Sequence, residues 1–229
     1  MAGGEFEGVL LVDKPVGPTS HDIVARVRRS LGGAKTGHAG TLDPFASGLL
    51  LILVGRATKL QQQLMELPKR YETLARLGAT STTGDPEGEI TVTGRLPHDP
   101  PDLPTGELRQ RPPAYSAVKV GGERAYRRAR RGESFEMPER IVTVHAFSQL
   151  WRRELPEPTA AFAIECSSGT YVRSLIADLG DAYCVELRRT AIGPFEVAQA
   201  VAAPAGEPWV DPPLIAREDV LARLGVTPH

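Results

Sequence analysis

Cysteine is scarce in this chain: Cys166 and Cys184 are the only two among 229 residues. Neither lies in a CxxC or beside a run of histidines, which excludes a zinc ribbon or a disulfide framework and predicts two reduced structural thiols. The PCxxC of the zinc deaminases is missing as well. Long apolar runs are also missing. The longest, Leu49 to Val54, has six residues, against the roughly 20 a helix needs to cross a bilayer. The N-terminus, MAGGEFEG, has two acids, no early Lys or Arg and no apolar stretch, so the expectation is a cytoplasmic protein without a secretory signal. No GK[ST] follows a glycine cluster, which excludes a P-loop, and no internal repeat is visible. Lysine is rare: five of the 27 basic residues, the rest being arginine, whose planar fork suits phosphate.

What is present fits an ordinary globular protein, with 41% hydrophobic and 24% charged residues. The length allows one large domain or two small ones. The net charge is -1, but it is unevenly spread. Between Lys119 and Arg131 six bases (Lys119, Arg124, Arg127, Arg128, Arg130, Arg131) face one acid, Glu123, and a second basic stretch runs from Lys14 to Lys35. Charge alone fits either solvated arginine-rich helices or a positive face for a polyanion.

Periodicity gives a coarse map. Residues 8–15 (GVLLVDKP) read as a strand closed by proline. A helix capped by Ser20 follows, with Ile23, Val24, Val27 and Leu31 at helical spacing and Gly32-Gly33 as the stop. Residues 35–48 read as loop, LLLILVG as a buried strand and residues 57–67 as a helix ended by Pro68. RYETLARLG alternates like a half-exposed strand, with GEITVTG as its hairpin partner across the Asp85–Gly88 turn. Six prolines between Pro97 and Pro113 argue against regular structure there. AFAIECSSG reads as a strand, SLIADLGDAY as a helix, and residues 211–225 as one final helix. Hairpin-like strands mixed with a few helices predict an α+β fold with a mixed sheet.

The densest unusual stretch is GHAGTLDPFASGLL at 37–50, where three glycines bracket one carboxylate, Asp43, ahead of Pro44. Glycine lets backbone approach a ligand, and proline restrains the residue before it. An Asx turn in which Asp43 only caps the loop is an equal alternative on these residues. Ser20-His21-Asp22 invites a triad reading, but adjacent residues on a helix do not face one another.

Residues 37–48 match the pattern G-H-x-G-x-L-D-P-x-A-x-G throughout and so resemble the catalytic loop of the TruB-type pseudouridine synthases, the tRNA pseudouridine-55 synthase family. GVLLVDKPVGPTSHD, KRYETLARLG at 69–78, CSSGTYVRSLIADLG at 166–180 and LRRTAIG at 187–193 resemble that family in the same order, and residues 111–133 are similar to its RNA-gripping insertion. The resemblance spans about residues 8–200. It implies a pseudouridine synthase fold: an α+β, mainly antiparallel mixed sheet with flanking helices and a central catalytic cleft. The activity implied is isomerisation of uridine 55 in the T-loop of tRNA by base flipping, with no cofactor and no metal. Asp43 would be the nucleophile, attacking either the uracil ring or the sugar C1′. Arg173 would pair with it and keep it ionised, while Tyr171, taken as two residues away on an extended chain, would lie against the base. Tyr71 would stack on the flipped base, Leu187 would close the apolar wall, and His38 would fill space or contact RNA where the flipped nucleotide leaves the loop. The six bases of 119–131 would grip the RNA backbone without reading its sequence. Lys14-Pro15 would support the active loop from beneath.

The expected organisation is a catalytic domain over 1–200, with the insertion at about 95–140, and a tail over 201–229 packing back on it in place of the PUA domain many members carry. The expected partner is tRNA through its T-arm, engaged by a monomer with no membrane or obligatory protein partner. The rival readings are a tRNA-binding or folding chaperone of the same fold, a base-removing glycosylase, and a synthase acting on another RNA.

Overall fold

The computed structural model describes residues 6–226 except 114 and 117, and only the backbone of residues 119, 124, 126 and 130. The chain opens with β1 (Gly8–Lys14), α1 (Ser20–Ser30), β2 (Thr36–Ala39) and β3 (Ser47–Val54), then a 3-10 turn (Gly55–Leu60) running into α2 (Gln61–Glu66). Its middle holds β4 (Lys69–Leu77), β5 (Ala79–Ser81), β6 (Ile90–Val92), β7 (Gly106–Gln110), β8 (Lys119–Val120), β9 (Glu123–Arg124) and α3 (Ala125–Arg130). There follow β10 (Arg140–Arg153), β11 (Thr159–Cys166), α4 (Val172–Ala177), β12 (Ala182–Ile192), β13 (Phe195–Glu196), β14 (Val201–Ala202) and α5 (Arg217–Arg223). Two compact units result: residues 1–70 with 188–229, and residues 71–187.

In the first unit β3 is central, and its run from Leu49 to Val54 is apolar without a break because it is covered on both faces. It pairs antiparallel with β1 and β2 and parallel with β12 at Ser47–Gly48, while β14 runs parallel to β1. Side chains alternate across the strand. Leu49, Leu51 and Leu53 pack with Leu60, Leu64, Phe195, Val220 and Leu221 on one face. Leu50, Ile52 and Val54 pack with Ile23, Val27 and Leu31 of α1 on the other. A strand with one solvent face would have alternated, so the unbroken LLLILV run follows from this double cover. The tail belongs to this unit: Ile215 exchanges backbone hydrogen bonds with Val9, both 2.9 Å.

The second unit is also a mixed α+β body, with strand order β12, β4, β11, β10, β7. β10 is antiparallel to both β11 and β7. The α+β class with a mixed, mainly antiparallel sheet is therefore the observed one.

Several local readings are corrected. The cap of α1 is Thr19, not Ser20: Thr19 and Asp22 form a reciprocal capping box, and Ser20 is the first helical residue. The 35–48 stretch contains β2, whose short, half-buried TGHA has no alternation to betray it. Residues 57–67 form a 3-10 turn and a six-residue helix in place of one helix. Ile90–Val92 pairs with Ala79–Ser81, not with β4. The Pro-rich stretch holds β7, since its prolines flank residues 106–110 without interrupting them. The final helix is Arg217–Arg223 only, because Pro212 and Pro213 keep the preceding chain extended. Among the described residues no helix is long and apolar enough to cross a membrane.

Candidate active site

The Asp43 loop connects β2 to β3, and its backbone is fastened almost peptide by peptide. Ser20, fully buried at the start of α1, accepts from the Leu42 amide at 2.8 Å and donates to the Leu42 carbonyl at 3.1 Å. The Asp43 carbonyl accepts from Ala46 at 3.1 Å, and the Pro44 carbonyl accepts from the Gly17 amide at 2.8 Å. Lys14, fully buried, donates to the carbonyls of Pro15 (2.8 Å), Pro18 (2.9 Å) and Pro44 (3.4 Å). This agrees with the supporting role expected of Lys14-Pro15. Arg189, 1% exposed, donates to the carbonyls of Leu49, Gly40 and Thr41. At Gly48 the φ is +105° and an added Cβ would lie 2.3 Å from the Arg189 carbonyl oxygen, so only glycine fits.

This scaffold carries consequences for charge. Burial pushes the Lys14 ammonium down to about 8, Asp43 opposing the shift and Arg189 adding to it. His38 meets His21 edge to face, ring centroids 5.3 Å apart. Burial, then His21 and Arg189, push His38 down to about 4, so its imidazole is neutral at physiological pH. The three residues of Ser20-His21-Asp22 thus do separate jobs: Ser20 ties the loop, His21 packs on His38 and Asp22 caps α1. They form no triad.

In the second unit the expected residues Tyr171 and Arg173 come together with two that patterning left out. Tyr171 precedes α4, and Arg173 lies in its first turn, so they are not the alternating pair of an extended strand. Gln110, 2% exposed on β7, holds the Tyr171 backbone from both sides: Tyr171 N donates to Oε1 at 2.7 Å and Nε2 donates to the Tyr171 carbonyl at 3.0 Å. The Arg140 guanidinium sits 5.5 Å from the Tyr171 ring centroid. Arg173 forms a buried ion pair with Asp85, Nη1 to Oδ2 at 2.8 Å, and donates to the carbonyls of Thr83 (2.8 Å) and Tyr115 (3.1 Å). Asp85 also accepts from the Glu87 amide at 3.0 Å. In the sequence Asp85 looks like turn chemistry, and Gln110 in a Pro-rich stretch gives no signal at all. Tyr71 lies on β4, and Leu187 is buried on β12.

The basic stretch is less free than its composition suggests. Arg131 makes a two-pronged pair with Glu123 (2.7 Å each) and a third contact to Glu133, and Arg128 pairs with Glu133 at 2.8 Å and covers the Phe135 ring. Arg127 is exposed. The side chains of Lys119, Arg124 and Arg130 lie outside the described residues. Among the described residues no cluster of His, Cys, Asp or Glu could hold a metal ion.

Comparison with known proteins adds four findings. The family model "TruB family pseudouridylate synthase (N terminal domain)" matches residues 28–172. The tRNA pseudouridine synthase B of Thermobifida fusca is 48% identical over 213 residues, 85% of this chain and 72% of that protein. That of Cupriavidus metallidurans is 45% identical over 208 residues, 86% of this chain and 66% of that one. A solved Cbf5-Nop10-Gar1 complex contains a chain similar to 85% of this one with a TM-score of 0.64 and 32% identity. This chain spans 52% of that one.

Proposed function

The chain belongs to the TruB family of pseudouridylate synthases, and from that premise we propose that it isomerises uridine 55 in the T-loop of tRNA to pseudouridine. The observation that carries the reading is the Asp43 loop itself. A single carboxylate stands on a loop fastened by Ser20, Lys14 and Arg189, which is the pre-organisation an attacking group requires.

In the reaction the N1–C1′ bond breaks, the base turns, and a C5–C1′ bond forms. The proton leaves C5 and N1 ends protonated, so substrate and product are isomers and no external reductant or oxidant enters. Asp43 is the nucleophile, at the uracil ring or at C1′, where a carboxylate can also hold an oxocarbenium-like centre. Arg173 keeps it ionised. Tyr71 stacks on the flipped uracil, Tyr171 lies against its C5 edge and Leu187 closes the apolar wall. His38, neutral at the working pH, fills space and shuttles no proton. Residues 119–131 meet the tRNA backbone, where phosphates compete with Glu123 and Glu133 for Arg128 and Arg131. The working species is a cytoplasmic monomer engaging tRNA alone.

The test is tritium release from an unmodified tRNA transcript labelled at uracil C5, beside Asp43→Asn. Release by the wild type without free uracil, absent in the variant and lost when the T-loop uridine becomes cytidine, is the expected result. Free uracil identifies a glycosylase, and tight tRNA binding without release identifies a folding or binding role.

A further inference from the structure

We infer that Arg189 is a positioning residue for this reaction: its buried guanidinium fixes the backbone on both sides of Asp43 and so sets where that carboxylate stands. The inference rests on the function proposed above. Three donors of one planar group reach Leu49 O (Nε, 2.8 Å), Gly40 O (Nη2, 3.1 Å) and Thr41 O (Nη1, 3.4 Å). Gly40 and Thr41 precede Asp43 and Leu49 follows it, so a single rigid fork spans the loop. The backbone of the same residue grips it as well, since Arg189 is in parallel register with Gly48, whose missing Cβ would meet the Arg189 carbonyl.

The chemistry of the site argues that this cation serves more than packing. Arg189 is 1% exposed, and its hydrogen-bond partners among the described residues are neutral carbonyls and no carboxylate. Burying a guanidinium without an ion pair is costly, and an apolar residue of similar volume would avoid that cost. Its neighbour Arg188 shows the ordinary alternative: half-exposed and paired with both oxygens of Asp13 at 2.7 and 3.0 Å. A lysine at 189 would keep the charge but lose the fork, because an ammonium is a point charge whose donors all radiate from one nitrogen, whereas the guanidinium presents three separate nitrogens, Nε, Nη1 and Nη2, to carbonyls on both sides of Asp43. Lys14 already supplies such a point charge, at Pro44.

The test compares wild type, Arg189→Lys and Arg189→Ala in three measurements: thermal unfolding, tRNA Kd, and the single-turnover rate of pseudouridine formation at saturating enzyme. A loop displaced by about an ångström is expected to lower the rate about 100-fold, while Kd moves by less than about threefold. Arg189→Lys folds and shows the rate loss, and guanidinium ion added to Arg189→Ala restores part of the rate but restores none in Asp43→Asn. A wild-type rate in a folded Arg189→Lys overturns the inference, as does a rate loss matched by lost binding or by the unfolded fraction, or failure of both variants to fold. An inactive wild type with intact tRNA binding instead defeats the function reading, and is seen before any variant is made.

Discussion

Replacing Asp85 by alanine probes the buried pair that holds Arg173. The two side chains are 5% and 4% exposed, and the charged atoms are 2.8 Å apart. At that distance, with an effective dielectric of about 20, the Coulomb attraction is about 6 kcal/mol, most of it spent against the desolvation of two ions. Removing one partner keeps the desolvation of the other, and such truncations cost about 3–5 kcal/mol. The carbonyls of Thr83 and Tyr115 stay in place, but a neutral acceptor holds a guanidinium less strongly than a carboxylate does. Urea unfolding at pH 7 reads this directly: with a slope of about 2–3 kcal/mol/M the midpoint falls by about 1–2 M. Asp85→Asn keeps the shape and an acceptor, so it falls between wild type and alanine. A double-mutant cycle with Arg173→Met separates the pair from its surroundings and is expected to give a coupling above about 1.5 kcal/mol. A midpoint moved by less than about 0.3 M, or singles that add to the double within about 0.5 kcal/mol, would refute the argument.

Four further outcomes follow from the same structure. Lys14 titrates at about 8 in the folded chain against 10.5 when exposed, so its burial penalty is complete below pH 8 and fades as pH rises toward 10.5. The stability of wild type minus Lys14→Met, from denaturant midpoints, therefore increases over that window, and a decrease contradicts the assignment. Gly48→Ala forces a Cβ to within 2.3 Å of the Arg189 carbonyl at φ +105°, costing at least about 2 kcal/mol and most of the activity; an unchanged Tm rules this out. Thr19→Ala removes the hydroxyl half of the capping box, leaving the bond from the residue 19 amide to Asp22, and costs about 1 kcal/mol, read as a lowered Tm, and a Ser20→Ala variant should lose activity more sharply than stability because its hydroxyl serves Leu42 next to Asp43.

The sequence by itself determined the Asp43 loop, the buried β3, the helix after residue 19, the α+β class and the family. These are local features: a contiguous motif, a period of apolar residues, a glycine or proline stop. Tertiary structure decided what lies far apart in the chain. Arg189 reaches the loop across about 140 positions, Gln110 meets Tyr171 across 61, and Asp85 meets Arg173 across 88. No spacing rule connects such residues, and each looks ordinary alone: an arginine in LRRT, a glutamine among prolines, an aspartate in a turn. β7 was hidden for the same reason, because its only warrant is the partner strand β10. The basic stretch of 119–131 was legible as composition, but whether its arginines face solvent or a neighbouring glutamate depends on side-chain placement. Short-range propensity and motif fix which chemistry the chain carries. Burial and long-range hydrogen bonds fix how firmly that chemistry is held, since only folding brings a buried cation to carbonyls it does not neighbour in sequence.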